Sequence, residues 1–199
     1  MIERLSADAR VLLQPAATYR AIGLQMAASP ASAWRAWRRP LFILLFIGAC
    51  LSIAATGAVT LRITLSAALA WSFMPLIDIA ALAVVLRGHE RRAFRHVVDL
   101  FCSGFGAYLL WTLGIAVIMP CVPLRYGVPI FGTYVYGGAA LAVAWSLYID
   151  YCFFRDGLGR SSGAARRGLL LHRALAWAPI LLIFGAPGIH TELLEWLGK

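Results

Sequence analysis

Three carboxylates occupy positions where an apolar chain has least use for them. Asp78, Asp99 and Asp150 fall inside or at the edge of long apolar runs, and an ionisable side chain in hydrocarbon is costly unless it is paired. Asp78 is the deepest of the three. It precedes Leu86 by eight residues, which at helical rise places it about 12 Å from the end of its run. It also follows Pro75, whose missing N–H kinks a helix and frees a carbonyl. All three acids lie in the half of their runs that arginine clusters border. The plain expectation is that they pair with Arg95, Arg155 or Arg173, or reach out to the interface. The sharper one is a polar, inward-facing cavity with Asp78 at its base, binding a proton, a cation or a basic partner group.

Tryptophan adds a second set. Trp71, Trp111, Trp145 and Trp177 lie well within apolar runs rather than at their ends, and each indole N–H there calls for a partner in the protein. Core packing explains them simply. An aromatic-walled pocket for a lipid tail or a quinone-like molecule is the alternative, with Tyr108, Tyr148 and Tyr151 as further walls. Trp34, Arg35, Trp37, Arg38 and Arg39 form a different group just before the first run. Indole and guanidinium both favour the headgroup layer, so these five read as an interfacial anchor.

Other chemistry has no signature. There is no G-x-S-x-G and no H-E-x-x-H, and the loop Arg155-Asp156-Gly157-Leu158-Gly159-Arg160 lacks the Gly-Lys-Ser/Thr order of a phosphate cradle. His89, His96, His172 and His190 stand at or beyond the ends of the runs, where haem ligation across helices is not expected. Cys50, Cys102, Cys121 and Cys152 show no C-x-x-C pair. The residues thus imply no catalytic group, no metal and no cofactor.

The elements that carry these residues follow from composition. Of 199 residues 61% are hydrophobic and only 14% charged, too few charges to coat a water-facing surface. The net charge of +9 sits in short clusters between apolar runs, the pattern of membrane orientation rather than of nucleic-acid binding. Five runs, 41–61, 63–86, 97–119, 131–154 and 169–187, are each long enough to cross about 30 Å of hydrocarbon as helices. The expected fold is therefore all-α, a polytopic membrane bundle of five transmembrane helices. Fifteen of the eighteen cations fall on one side of this arrangement, leaving only Arg62, Arg125 and Lys199 on the other. That bias puts the N-terminus inside and the C-terminus outside. The first run begins too deep for a cleaved signal peptide, so the N-terminus is expected to be retained. Residues 1–40 read as an interfacial amphipathic region, 41–187 as the membrane domain and 188–199 as a short external tail. Near-exclusive use of Arg over Lys suits a GC-rich bacterial genome and hence a bacterial inner membrane.

Pro15, Thr18, Tyr19, Arg20 and Ile22 stand in the order Pro, then Thr-aromatic-Arg-x-Ile, and Trp71-Ser72-Phe73-Met74-Pro75 lies in the second run. With a cytosolic N-terminal region, five spans and an external C-terminus, this layout resembles the bacterial members of the Yip family of five-span membrane proteins. The Asp-Leu-x-Gly-Pro and Gly-Tyr-x-x-x-Pro stretches of eukaryotic members are absent. The resemblance implies a non-enzymatic inner-membrane protein and carries over no catalytic residue. Two functions are accordingly expected. One is an organising or assembly component that meets the bilayer and a membrane-protein partner through its basic face. The other is a small permease or lipid/quinone-binding protein using Asp78 and the buried aromatic residues.

Overall fold

The computed structural model describes residues 7–26, 33–87, 94–121 and 132–197, with side chains for all of these except 7, 23–26, 33–36 and 183–197. Among the described residues the chain is helical throughout, with no strand. Two short helices, α1 (Ala7–Leu13) and α2 (Pro15–Met26), precede α3 (Ala33–Thr56). Then come α4 (Leu61–Ala70), α5 (Phe73–Leu86), α6 (Phe94–Cys102) and α7 (Gly106–Cys121), the last two joined by a 3₁₀ turn at Ser103–Phe105. A π turn at Thr133–Gly137 leads into α8 (Gly138–Cys152), a second π turn at Phe153–Gly157 ends it, and α9 (Ser162–Leu197) closes the described chain.

Four stretches are long and apolar enough to cross a membrane: Trp37–Thr56, Leu61–Leu86, Phe94–Cys121 and Thr133–Gly157. Their outward faces carry large apolar side chains, among them Phe42, Leu69, Leu110 and Leu141. Such an apolar coat is stable in lipid and unfavourable in water. The expected fifth crossing, 169–187, lies wholly inside the uninterrupted α9. That helix runs on to Leu197, so the segment expected as a separate tail continues it.

Local chemistry sets the breaks. The first crossing stops at Thr56, ahead of the expected residue 61, because Gly57 takes φ +74, a left-handed conformation suited to glycine. Hydroxyls then stitch the turn. Ser52 Oγ donates to the Ala58 carbonyl and accepts the Thr60 N–H, both at 2.9 Å, while Thr56 Oγ1 donates to the carbonyls of Ser52 and Ala58 at 2.9 and 3.0 Å. Arg62, expected to mark this turn, stands exposed in the first turn of α4. The kink of the second crossing falls at Trp71 and Ser72, one turn before Pro75. Pro75 cannot donate to the Trp71 carbonyl, which instead accepts the Met74 N–H at 3.2 Å. The α3 and α4 backbones meet at Gly48, where a Cβ would come within 2.3 Å of the Thr64 carbonyl oxygen.

The N-terminal helices dock against the bundle. Pro15, Val11 and Thr18 are buried, and Tyr19 is fully sealed with its ring edge-on to Phe153 at 5.9 Å. Burial raises the Tyr19 phenol above its ordinary pKa, so it stays protonated. Residues expected to lie along the headgroups thus help to form the core, since the bundle gives their apolar face a drier partner than the interface does. Arg39 ties this end together, donating from Nε to Asp8 at 3.0 Å and pairing through Nη1 with Asp99 at 2.6 Å. Arg20 pairs with Asp156 at 2.9 Å. The N-terminal helices, the starts of the first and third crossings and the end of the fourth therefore share one arginine-rich end. An aromatic core cluster sits there too, built on Phe101, Phe153, Phe154 and His172, with ring centroids 5.1–6.0 Å apart.

Candidate functional site

Away from that packed end, α3, α5, α7 and α9 diverge around a cavity of about 360 Å³. Trp71, Pro75 and Asp78 reach it from the second crossing, Tyr108 and Trp111 from the third, and Arg173 and Trp177 from α9. Cys50 and Ala54 line it from α3. The helix directions order these residues along its length. Asp78, Tyr108 and Arg173 lie toward the arginine-rich end, whereas Trp71, Ala54, Ile115 and Ile180 lie toward the opposite end. The cavity is therefore amphipathic, charged at one end and apolar along the rest.

The charged end is a network. Arg173 Nη2 donates to Asp150 Oδ2, a tight ion pair, and to Ser146 Oγ at 3.1 Å. Ser146 Oγ in turn donates to Tyr108 Oη at 3.0 Å. Arg173 Nη1 stands 4.0 Å from Asp78 Oδ1, beyond hydrogen-bond reach. On the other flank His172 Nε2 lies 3.1 Å from the Asp78 backbone carbonyl and 3.8 Å from Oδ1. A carbonyl only accepts, so Nε2 carries a hydrogen, while Nδ1 is buried with no partner among the described residues. Arg173 Nε is likewise buried and unpartnered, and its guanidinium carbon sits 5.8 Å from the Trp177 ring centroid. Trp111 packs its indole edge beside Gly138, where a Cβ would come within 3.0 Å of Cδ1. Its Nε1 is also buried without a partner among the described residues.

The sequence candidates thus separate. Asp78 faces the cavity, with its side chain 16% exposed. Asp150 is sealed behind it as the partner of Arg173. Asp99 is elsewhere, held by Arg39 rather than by Arg95, Arg155 or Arg173. Of the four tryptophans, Trp71, Trp111 and Trp177 share the cavity. Trp145 instead donates its N–H to the Leu12 carbonyl at 2.9 Å and anchors α1. Tyr148 packs at a tilt against Trp145 and Tyr151 lies under Arg155, both away from the cavity. In the anchor group, Trp37 and Arg38 are exposed and Arg39 is committed to Asp8 and Asp99. The side chains of Trp34 and Arg35 lie outside those described.

Two residues escaped the sequence reading. His172 was placed at a helix end but is fully buried against Asp78 and Phe101, and Arg173, expected as a partner for one acid, also lines the cavity. The signal was present: two adjacent basic residues directly after Leu169, Leu170 and Leu171 make little sense in lipid unless they face acids. Comparison of the chain with protein-family models, curated proteins and solved structures gave no match. The chemistry of the cavity is therefore the basis for a functional reading. Its arrangement suits holding a molecule with a polar head at Asp78 and an apolar body along the tryptophans.

Proposed function

We propose that this chain is a small permease or binding protein for an amphipathic molecule, such as a lipid or quinone-like compound, held in the cavity beneath Asp78. One observation carries the reading: a cavity of about 360 Å³, the size that small ligands occupy, combines three tryptophans with a carboxylate that accepts no hydrogen bond among the described residues. The Yip-like layout belongs to the same proposal. The protein crosses a bacterial inner membrane five times, with α9 as the last crossing, its N-terminus cytoplasmic and its C-terminus external.

The test is native mass spectrometry of the protein released in patches of its own membrane. Wild type is expected to retain one small amphiphile per chain, and Trp111→Leu, which takes away a cavity wall, to lose it. A wild-type protein carrying only bulk lipid in bilayer proportions overturns the reading. An assembly role would draw on a different feature, the exposed Arg38, Arg87, Arg95, Arg166 and Arg167 around the arginine-rich end. Co-release of a stoichiometric membrane protein with no amphiphile would favour that role instead.

A further inference from the structure

The geometry points to a positively charged ligand: the cavity takes a lipophilic cation, an amine or onium group with an apolar body, and Asp78 is its counter-ion. This rests on the cavity-binding reading and names its ligand class. Four groups set the charge at the polar end, namely Asp78, Asp150, Arg173 and His172. Arg173 is committed, because its Nη2 is bound by Asp150 and Ser146 deep in the bundle. His172 presents Nε2–H to a carbonyl and has no acceptor beside its buried Nδ1 among the described residues, so nothing there holds a second ring proton. Two carboxylates against one guanidinium leave one negative charge, and it resides on Asp78, the acid that faces the cavity.

An unbalanced carboxylate in a low-dielectric site demands a cation. The walls agree with the charge. Trp71, Trp111, Trp177 and Tyr108 line it, and the negative faces of such rings attract organic cations, as the Trp177 ring already does the Arg173 guanidinium. A compact, strongly hydrated metal ion would find one carboxylate and few other oxygens here, whereas a diffuse onium charge sheds its water easily and fits an aromatic lining. The single Arg173 guanidinium does not reverse this preference, since a second acid already neutralises it.

Matched probes test the inference on the full-length protein in detergent, by equilibrium dialysis and by quenching of tryptophan fluorescence. Tetraphenylphosphonium and tetraphenylborate share a shape and differ in sign, and decylubiquinone serves as a neutral amphiphile. The phosphonium is expected to bind, with the borate weaker by about tenfold or more. Asp78→Asn should lower phosphonium affinity by about tenfold, and Asp78→Glu should restore it. Elution volume and circular dichroism of each variant show that it is folded. Equal or tighter binding of the borate, or phosphonium binding indifferent to Asp78→Asn, overturns the inference. Binding of decylubiquinone without the phosphonium also overturns it and leaves the cavity-binding reading standing. If none of the three probes binds and no amphiphile co-purifies, both fail.

Discussion

Asp78 and Asp150 are chemically identical and lie within one network, yet their surroundings give them different work. Asp150 is sealed and bonded to Arg173, so the pair holds α8 against α9. Asp78 receives only distant cations and looks into the cavity. Removing one partner of a buried pair strands the other charge, at a cost of about 3–5 kcal/mol. Arg173→Met should therefore lower the thermal midpoint of the detergent-solubilised protein steeply by leaving two acids uncompensated. Asp78→Asn, which deletes a charge that nothing fully neutralises, should change stability by about 1 kcal/mol or less. Thermal unfolding followed by circular dichroism separates the two, and equal losses would mean that Asp78 is as structural as Asp150.

At the scale of the elements, small residues decide how closely the helices approach. Gly48 lets α3 rest on the backbone of α4, which holds the first hairpin shut at the far side of the cavity. Gly48→Ala would drive a methyl group into the Thr64 carbonyl and against Ala68, and is expected to destabilise the protein by about 1–3 kcal/mol. Gly163→Ala in the first turn of α9 meets nothing within 4 Å and should be neutral or gain about 0.4–1 kcal/mol through a stiffer unfolded chain. Chemical denaturation in a fixed detergent measures both, and a harmless Gly48→Ala would mean that α3 and α4 have slack between them. The docked α1 and α2 belong to this scale as well. Their periodicity showed an apolar face but could not say whether lipid or protein would cover it, because both are apolar solvents for Val11 and Tyr19.

For the whole molecule, the proposed orientation puts the arginine-rich end inside, as the positive-inside bias requires. Cys121 ends α7 at the opposite end of the bundle and is exposed, whereas Cys50, Cys102 and Cys152 are buried thiols. A membrane-impermeant maleimide should label Cys121 in right-side-out vesicles and leave the other three unmodified until the protein is unfolded. Labelling confined to inverted vesicles would reverse the orientation and place the polar end of the cavity on the external side.

Much of this was legible along the chain, and the reason is the solvent. Hydrocarbon forces every backbone group into a helix and unpaired guanidinium groups toward water, so apolar run lengths and arginine positions indicate the class and the crossings 63–86, 97–119 and 131–154 to within a few residues. The same rule marked Asp78 as a residue in need of an explanation. Which acid meets Arg173, that Asp99 belongs to Arg39, that Trp145 serves α1 while three other tryptophans share a cavity, and that His172 is sealed under Asp78 were decided only by the tertiary structure. Those outcomes depend on how far each helix is rotated about its own axis. The near-uniform apolarity that makes a membrane helix easy to find also erases the one-sided pattern from which its rotation could have been read.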